Sequence, residues 1–505
     1  MSLSPDFARF EKAYANGEPQ IVWRRIVSDL ETPVSAYLKL GARRRNSFLL
    51  ESVEGGEQLG RYSAIGVKPD VIWRARGDVA EITEDAAADP TSFRRDDLAP
   101  LESFKRLLAA SRITIPPEAP PMAAGLFGFL GYDMARQMEP RPSLVNGRPP
   151  SAFDIPDAVF IRPTIVAVFD NVRQEIMLVA PVRPEAGVSA RAAYSRAGER
   201  ISDAVGDLAA PLAGAPVEAP VAVDVDVGVA SNTPQADFLA MVARAKEHIA
   251  AGDIFQVVLS QRFERPFAAP PFDLYRALRR TNPSPFLFFL NFSGFALVGS
   301  SPEILVRVRG SEVTIRPIAG TRARGETPEE DLALEKDLLA DPKERAEHLM
   351  LLDLGRNDVG RASAIGTVKV TDSFLVERYS HVMHLVSNVT GELRADLDLV
   401  DAVAAGFPAG TVTGAPKIRA MEIIDALERD GRGPYGGAIG YFSADGNVDT
   451  CIALRTALVA NGVMRVQAGA GIVADSVPKA EHVECENKAK ALFAAAKAAL
   501  EQSGN

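Results

Sequence analysis

Two segments of the chain, 66–82 and 299–315, share one pattern of residues that aligns without a gap. In each, a strand-like run leads through a glycine-centred turn into a second strand-like run, which is typical of a β-hairpin. The identical positions are Gly66, Pro69, Arg74, Arg76, Gly77 and Ile82, which match Gly299, Pro302, Arg307, Arg309, Gly310 and Ile315. Two explanations are open: unrelated hairpins with similar turn chemistry, or a half-domain that is present twice. Duplication would place Asp70 at the position of Glu303.

Strand-like segments dominate the first part of the chain, including FLLES, DVIWRARGDVAEIT and PTIVAVFDNVRQEIMLVAPV. Residues 205–232 are rich in Ala, Pro and Val without periodicity, which indicates a linker. A helix is predicted after Thr233, with an apolar stripe from Phe238 to Ile249, and the strand FQVVLSQRF follows it. We therefore predict an α+β protein with a strand-rich N-terminal region (1–204), a linker (205–232) and a mixed C-terminal region (233–505).

The composition narrows the possible functions. The chain has 505 residues, of which 47% are hydrophobic and 24% charged, as in ordinary globular proteins. Its net charge of -10 gives no electrostatic support for nucleic-acid binding. Two cysteines argue against a disulfide framework, the N-terminus lacks a signal pattern, and no apolar run approaches the ~18 residues of a membrane helix. We expect a cytoplasmic protein with no nucleic-acid or membrane partner.

Two acidic pairs are the first candidates for chemistry. Glu344 and Glu347, and likewise Glu481 and Glu484, stand three residues apart and so share one helical face. A solvated face is the commoner explanation of such a pair, but both pairs adjoin apolar residues. Carboxylates brought together repel one another unless they are protonated or bind a cation. Oxygen ligands select a hard ion such as Mg²⁺, with one glutamate of each pair binding directly and the other through water. His381 and His384, without a glutamate motif, are only weak evidence for zinc.

Other segments predict an anion site. Small residues precede a helix in AGTVTGAPKIRAMEII, where free backbone N–H groups favour negative charge. Gly469 and Gly471 end an apolar strand, as Gly320 does in PIAGTRARG, so that backbone approaches another group closely. Arg455, within the apolar run CIALRTALV, needs an anionic partner if it is buried. Because no phosphate-loop or dinucleotide fingerprint is present, we expect a carboxylate-rich small molecule.

Several long motifs resemble those of the chorismate-utilising enzymes, and above all the large subunits of anthranilate synthase. They are PIAGTRARG, EHLMLLDLGRND, RYSHVMHLVS, GTVTGAPK, GGAIGYF, CIALRT, GAGIVADSVP and the ending E-x-x-E-x-x-N-K. The resemblance is dense over about residues 233–495 and is carried earlier by LLES, GRYSAIG and GFLGYD. It implies a two-part fold in which a β-sandwich of mainly antiparallel sheets is flanked by helices. It also implies Mg²⁺-dependent amination of chorismate at C2 with loss of the C4 hydroxyl, and then loss of pyruvate to give anthranilate, the first committed step of tryptophan biosynthesis.

The resemblance implies a role for each matching residue. Glu347 and Glu484 would bind Mg²⁺ directly, with Glu344 and Glu481 behind them, and the metal would hold the ring carboxylate. The second carboxylate of chorismate would be held by Tyr435, Arg455, Lys488 and the backbone of Gly469, Ala470 and Gly471, with Gly320 and Thr321 nearby. Glu303 would protonate the leaving hydroxyl, His384 would assist pyruvate loss and Thr411 would position the ring.

Two positions favour one activity within the family. Members that add water to chorismate carry a lysine base where this chain has Gln256, and aminodeoxychorismate synthases carry a nucleophilic lysine where it has Ala319. An aminodeoxychorismate synthase component I and a catalytically inactive amino-acid-binding regulator are the competing interpretations. Neither Cys451 nor Cys485 lies on the tight turn that a glutaminase nucleophile requires. A separate glutamine amidotransferase subunit is therefore implied as the source of ammonia.

A regulatory site is also implied. LLES, with Glu51 and Ser52, and NPSPFLFF, with Pro285, Phe286 and Leu287, resemble the site at which tryptophan inhibits the family. Glu51 would bind the amino group of tryptophan, and Arg61 is a candidate for the cationic residue of the site. Phe286 and Leu287 stand where other members have Tyr or Met, and core packing is the alternative explanation for them.

Overall fold

The structure, a computed structural model, describes residues 2–54, 58–141, 143–144, 148–212, 228–379 and 382–503. The helices are α1 (Phe7–Ala15), α2 (Pro33–Leu40), α3 (Pro100–Ala110), α4 (Ala135–Met138), α5 (Ala190–Ala209), α6 (Gln235–Ala250), α7 (Pro271–Thr281), α8 (Pro328–Ala340), α9 (Pro342–Ala362), α10 (Leu399–Gly406), α11 (Lys417–Leu427) and α12 (Pro478–Ser503). None of these helices is both long enough and apolar enough to cross a membrane.

The strands of the N-terminal part are β1 (Gln20–Val27), β2 (Ser47–Glu54), β3 (Gln58–Arg76), β4 (Val79–Thr83), β5 (Arg94–Arg95), β6 (Gly125–Leu130), β7 (Ala158–Asp170), β8 (Glu175–Val182) and β9 (Ala230–Ser231). Those of the C-terminal part are β10 (Gln256–Pro266), β11 (Phe286–Phe292), β12 (Phe295–Ser301), β13 (Ile304–Arg309), β14 (Glu312–Ile315), β15 (Ile318–Ala323), β16 (Lys369–Arg378), β17 (Val382–Glu392), β18 (Gly414–Ala415), β19 (Ala438–Ser443), β20 (Val448–Ile452), β21 (Thr456–Ala460) and β22 (Val463–Ile472).

The strands form one continuous network of antiparallel pairings that folds into a sandwich. Its inner core is made largely by strands, and Phe48 stacks on Phe127 there with ring centroids 4.3 Å apart. A second cluster packs α1, α2, α5, α6, α7 and α12 against one outer face, and a third packs α3 and α10 against the other. The α+β class and the predicted sandwich are confirmed.

The repeated hairpin belongs to a duplicated half-domain. The order α1, β1, α2, β2, β3, β4 and later β6, β7, β8, α5 recurs as α6, β10, α7, β11, β12–β13, β14 and later β19, β20–β21, β22, α12. Gly66 and Gly299 face equivalent rings. A Cβ on Gly66 would come within 2.2 Å of the Phe48 ring, and one on Gly299 within 2.1 Å of the Phe288 ring. The strands that join the halves pair Phe48 with Leu290 and Leu50 with Phe288. Exchanging the halves reproduces this register, so the two copies meet along a common edge.

Both ends of the predicted linker, residues 205–209 and 230–231, lie in regular secondary structure. Helix α5 continues to Ala209, and β9 begins at Ala230, where it pairs with Glu264 of β10. The remainder of the prediction, residues 213–227, lies outside the described residues. Helix α6 begins directly after Thr233 and Pro234 and buries Phe238 as predicted. The helix–strand unit after the linker thus follows the predicted order.

Candidate active site

Glu303 lies in the short connection between β12 and β13, on the C-terminal copy of the repeated hairpin. Its side chain is 7% exposed, and Thr411 Oγ1 donates a hydrogen bond of 3.0 Å to its Oε1. Burial raises the pKa of Glu303 to about 8, and the Thr411 hydrogen bond opposes that rise because it stabilises the charged form. A buried carboxyl group of this kind keeps its proton at neutral pH and can act as an acid.

His384 stands beside Thr321 and Gly320 because β17 pairs with β15 at this point. Its Nδ1 lies 3.0 Å from Thr321 Oγ1 and 3.1 Å from the Gly320 carbonyl oxygen. Burial lowers the pKa of His384, and the nearby Arg455 charge lowers it further. The imidazole is therefore neutral at pH 7 and able to accept a proton.

Arg455 lies between β20 and β21 with φ of +46°, in the left-handed region that few residues other than glycine adopt. The backbone is held there because Ser300 N donates to the Arg455 carbonyl oxygen. Burial lowers the pKa of Arg455, and among the described residues its guanidinium has no ion pair or hydrogen bond. A half-buried, unpaired cation beside His384 is a ready partner for an anion.

Two glycines of β22 form a surface that larger residues would fill. A Cβ on Gly469 would lie 2.7 Å from the Tyr435 hydroxyl oxygen, and one on Gly471 would lie 2.5 Å from Gln256 Nε2. Gln256 Oε1 is buried and accepts no hydrogen bond from any residue that the structure describes. Lys488 Nζ reaches across from α12 and donates to the Gly469 carbonyl oxygen at 2.9 Å. Ala470, between the two glycines, is fully buried. A side chain larger than glycine at position 469 or 471 would therefore collide with Tyr435 or Gln256, so the backbone stays exposed on this surface.

The acidic pairs face one another from α9 and α12. Burial raises the pKa of Glu347, and the negative charges of Glu344 and Glu484 raise it further. Glu481 has a raised pKa for the same two reasons, burial first and Glu484 after it. A Cβ on Gly320, whose φ is +72°, would lie 3.3 Å from Glu344 Oε2, so α9 also adjoins the His384 strand pair. The charges of the two pairs are therefore near enough to raise one another's pKa.

One glutamate of each acidic pair is bound by a basic side chain. Arg322 Nη1 donates to Glu344 Oε1 at 3.1 Å, and Lys488 Nζ lies 2.7 Å from Glu484 Oε1. Within the described ranges, no three carboxylate, imidazole or thiolate side chains are close enough together to hold a metal ion. The donor set still fits Mg²⁺, because it consists of oxygen ligands whose mutual repulsion a cation would relieve.

Two buried ion pairs that support the site could not be singled out from the sequence. Arg432 binds both carboxylate oxygens of Glu428 and also donates to the carbonyl oxygens of Val412 and Val258. This arginine therefore joins the Thr411 segment to β10. Lys417 Nζ binds Asp358 Oδ1 at 2.8 Å and joins α11 to α9. Arg432, Asp358 and Lys417 lie in the segments GRGPY, GRND and GAPK, whose composition indicates turns and a helix start and gives no sign of an ion pair.

The predicted regulatory residues lie around the β2–β11 pair, with Ser52 directly opposite Phe286. Directly opposed residues share a face of the sheet, and neighbours along a strand alternate. Phe286 packs towards the inner core and Leu287 towards the outer helices, so Glu51 also faces outwards. There Arg279 donates to both Glu51 oxygens, at 2.8 and 3.1 Å, and the Tyr275 hydroxyl donates to Oε2.

Arg61 and Pro285 are the other two residues predicted for this region. Arg61 forms a 3.1 Å ion pair with Asp170 and is largely exposed. Pro285 directly precedes β11 and is partly buried.

The N-terminal counterpart of the site is filled by the chain's own charged side chains. Asp70, at the position of Glu303, accepts hydrogen bonds of 2.8 and 3.0 Å from Arg162. Strand registers align Arg183 with Gly471, so a long side chain stands where the C-terminal copy has none. Arg183 and Arg162 both bind Ser111. One copy of the site is therefore open and the other closed.

Comparison with known proteins agrees with this geometry. The model of the chorismate binding enzyme family matches residues 47–494. Anthranilate synthase component 1 of Cereibacter sphaeroides is 55% identical, covering 97% of each chain, and that of Pseudomonas aeruginosa is 48% identical, covering 94% of this chain and 95% of the relative. A structure of anthranilate synthase component I from Streptococcus pneumoniae TIGR4 covers 93% of this chain and 99% of its own, with 36% identity and a TM-score of 0.73. The menaquinone-specific isochorismate synthase from Escherichia coli has the same fold, with 20% identity, 97% and 98% coverage, and a TM-score of 0.69.

The chain belongs to the family of chorismate-binding enzymes. Within that family it belongs with the anthranilate synthase component I chains, to which it is similar over nearly its full length, and it is an enzyme.

Proposed function

We propose that the chain is the large subunit of a Mg²⁺-dependent anthranilate synthase, which converts chorismate and ammonia into anthranilate and pyruvate in the cytoplasm. The observation that carries the proposal is the buried Glu303 carboxyl group, which retains its proton at neutral pH beside Thr411. The amination needs such an acid because hydroxide is a poor leaving group. The names and similarity of the relatives support the same substrate.

The side chains divide the reaction between them. Arg455, with Tyr435 and the backbone of Gly469 to Gly471, holds one carboxylate of chorismate in a partly dry pocket. As ammonia bonds to C2, both ring double bonds shift by one position and the C4 hydroxyl leaves as water with the proton of Glu303. Neutral His384 then accepts a proton during the elimination of pyruvate, which makes the ring aromatic. Gly320 and Thr321 fix the orientation of His384.

Glu347 and Glu484 would bind Mg²⁺, with Glu344 and Glu481 behind them. When bound, the ion supplies a positive charge that holds the ring carboxylate of chorismate in place. Arg322 and Lys488 neutralise the carboxylates without it. Lys488 is therefore positioned to turn from Glu484 towards the substrate.

Two positions favour ammonia as the nucleophile. Ala319 is 8% exposed on β15, immediately before Gly320, and offers no amine to attack C2. Gln256, buried at the start of β10, cannot deprotonate water as a lysine can. Both distinguish the proposed activity from that of an aminodeoxychorismate synthase or a hydrating member of the family.

A direct product assay tests the proposal. The purified chain with chorismate, MgCl₂ and ammonium chloride is expected to form anthranilate, which is followed by its fluorescence, and pyruvate in equal amounts. Aminodeoxychorismate or isochorismate as the main product would replace the proposal by another family activity. Absence of any product would favour the inactive amino-acid-binding regulator.

The ammonia is proposed to come from a separate glutamine amidotransferase subunit. Both cysteines are buried, and burial raises the pKa of Cys485 to about 12, so that it is not a nucleophile at neutral pH. Burial also raises the pKa of Cys451. Alone, the chain should use ammonium and not glutamine.

The pH dependence of kcat/KM should follow the proton on Glu303. Because the acid form is required and its pKa is about 8, activity should fall as pH rises through about 8. Thr411→Val removes a hydrogen bond that stabilises the charged form, so the falling limb should move to higher pH. A control is Thr413→Val, since the Thr413 hydroxyl donates to the Ala409 carbonyl oxygen instead. An unchanged limb in Thr411→Val would separate Glu303 from the proton transfer.

We further propose that tryptophan inhibits the enzyme by binding near Ser52, Pro285 and Phe286 on the inner face of the β2–β11 pair. Strand β11 continues through β12 to Glu303, so one segment connects the two sites. Glu51 contributes indirectly, by fixing β2 to Arg279 of α7.

Replacing Ser52 with phenylalanine should fill this region and abolish inhibition by tryptophan, with uninhibited turnover nearly unchanged. Initial rates against tryptophan concentration measure the effect, and Ser293→Phe, at the other end of the strand pair, is the matched control. Coupling requires that chorismate weaken tryptophan binding by the factor with which tryptophan weakens that of chorismate. Calorimetric titrations that show no such effect would contradict the coupling, and a wild-type enzyme insensitive to tryptophan would contradict the site.

A further inference from the structure

A cavity of about 440 Å³ lies between the two half-domains, remote from Glu303 and its neighbours. It is located at the Asn46–Phe292 end of the β2–β11 pair, whereas Ser52 and Phe286 are at the opposite end. Both half-domains line it, the N-terminal one through Asn46 and Phe93 and the C-terminal one through Phe292 and Phe295. The fold thus creates a partly open cavity that none of the proposed catalytic residues lines.

The duplication relates this cavity to the proposed tryptophan site. Because Phe48 corresponds to Phe288, exchanging the halves carries Ser52 to Phe292 and Phe286 to Asn46. The cavity therefore occupies the place in one half that the regulatory site occupies in the other. This step rests on the proposed function, while the cavity and its lining do not.

The lining combines aromatic walls with positive charge. Arg74, Arg76 and Arg465 reach the cavity, against a single carboxylate, Asp154, among the described residues that line it. Arg74 binds Glu81 through Nε and lies over the Phe93 ring, 3.6 Å from its centroid. Arg465 forms an ion pair with Glu264, with 3.4 Å between Arg465 Nε and Glu264 Oε1. A guanidinium has five N–H donors, so these contacts leave donors for a further anion.

We propose that this cavity binds a small aromatic molecule that carries a carboxylate, at a site separate from both the catalytic and the tryptophan sites. The aromatic ring would lie between Phe292, Phe295 and Phe93, where apolar area is removed from water. The carboxylate would face Arg74 and Arg465, which suit planar anions.

The probe for the test is 4-fluorobenzoate, observed by ¹⁹F NMR with the full-length chain. Saturable binding is expected at concentrations below about 10 mM, the range of weak ligands of this size. Ser293→Phe, which places a ring at the exposed turn of the cavity, and Arg465→Gln should each weaken it at least tenfold. Ser52→Phe, at the opposite end of the strand pair, should leave it unchanged. 4-Fluorobenzyl alcohol, which lacks the carboxylate, should bind more weakly to wild type and should lose nothing further in Arg465→Gln.

Chorismate and tryptophan separate this site from the other two. Neither should displace the probe, and the cavity variants should retain wild-type thermal midpoints and anthranilate formation. The proposal is overturned if the probe shows no saturation, or if both cavity variants bind it like wild type. Displacement by chorismate would place the probe in the catalytic site, and displacement by tryptophan would place it in the regulatory site. Failure of the anthranilate assay would bear on the proposed function alone.

Discussion

Replacing Arg455 with alanine is expected to lower kcat/KM for chorismate several hundredfold. The guanidinium is half-buried, has no partner among the described residues and stands beside His384, so its loss leaves a substrate carboxylate unpaired in a partly dry site. Removing one partner of a buried charge pair typically costs ~3–5 kcal/mol. The strained backbone at φ +46° supports the same role, because such conformations persist at sites where function requires them.

The measurement is steady-state kinetics with ammonium as the nitrogen source. Arg455→Lys should recover part of the loss because it keeps the charge but not the planar fork. Arg394→Ala, which removes an exposed arginine paired with Asp396, should have little effect. A loss of less than tenfold in Arg455→Ala would assign this arginine to the structural frame.

Glu484→Gln is expected to nearly abolish turnover at ordinary Mg²⁺ concentrations, as excess chelator should do for the wild type. The amide keeps the shape of the side chain but removes a negative charge from the group of four glutamates. An ion bound by one or two carboxylates depends strongly on each of them. The substitution also frees Lys488, whose Nζ lies 2.7 Å from Glu484 Oε1.

Glu486→Gln is the matched control. Glu486 lies on the same helix but is not one of the four glutamates, and its Oε2 is 3.9 Å from His482 Nδ1. In rates measured across a Mg²⁺ titration, the half-saturating concentration should move to much higher Mg²⁺ in Glu484→Gln and stay unchanged in Glu486→Gln. Full activity of Glu484→Gln, or of wild type in chelator, would exclude the proposed Mg²⁺ site.

Much of the fold and the site could be predicted because the motifs were long and locally consistent. The helix after Thr233, the hairpins and the spacing within each acidic pair follow from periodicity, which is a local property of the chain. The elevated pKa of Glu303 required its burial, and that depends on how β12, β20 and the Thr411 segment pack together. Only the resemblance pointed to that residue before the structure did.

The features that could not be predicted depend on contacts between distant segments. Glu51 was expected to bind a ligand, but its partners Arg279 and Tyr275 are more than two hundred positions away. The Arg432–Glu428 pair was equally hidden, because its effect is to join Val412 and Val258. Which face of a strand a side chain occupies is decided by register, and register is set by pairing with a partner strand.

The shared edge between the half-domains has an evolutionary consequence. Pairing β2 with β11 so that the halves are interchangeable is the contact that two identical chains make in a closed twofold dimer. Fusion of such a dimer into one gene would begin with two equal pockets and would release each from the need to match the other. In this chain one pocket has Gly471 on its floor, while the other holds Arg183 and the Asp70–Arg162 pair. Such an origin would account for the difference between the halves: Arg162 binds Asp70 in one, whereas the corresponding Glu303 is bound by Thr411 in the other.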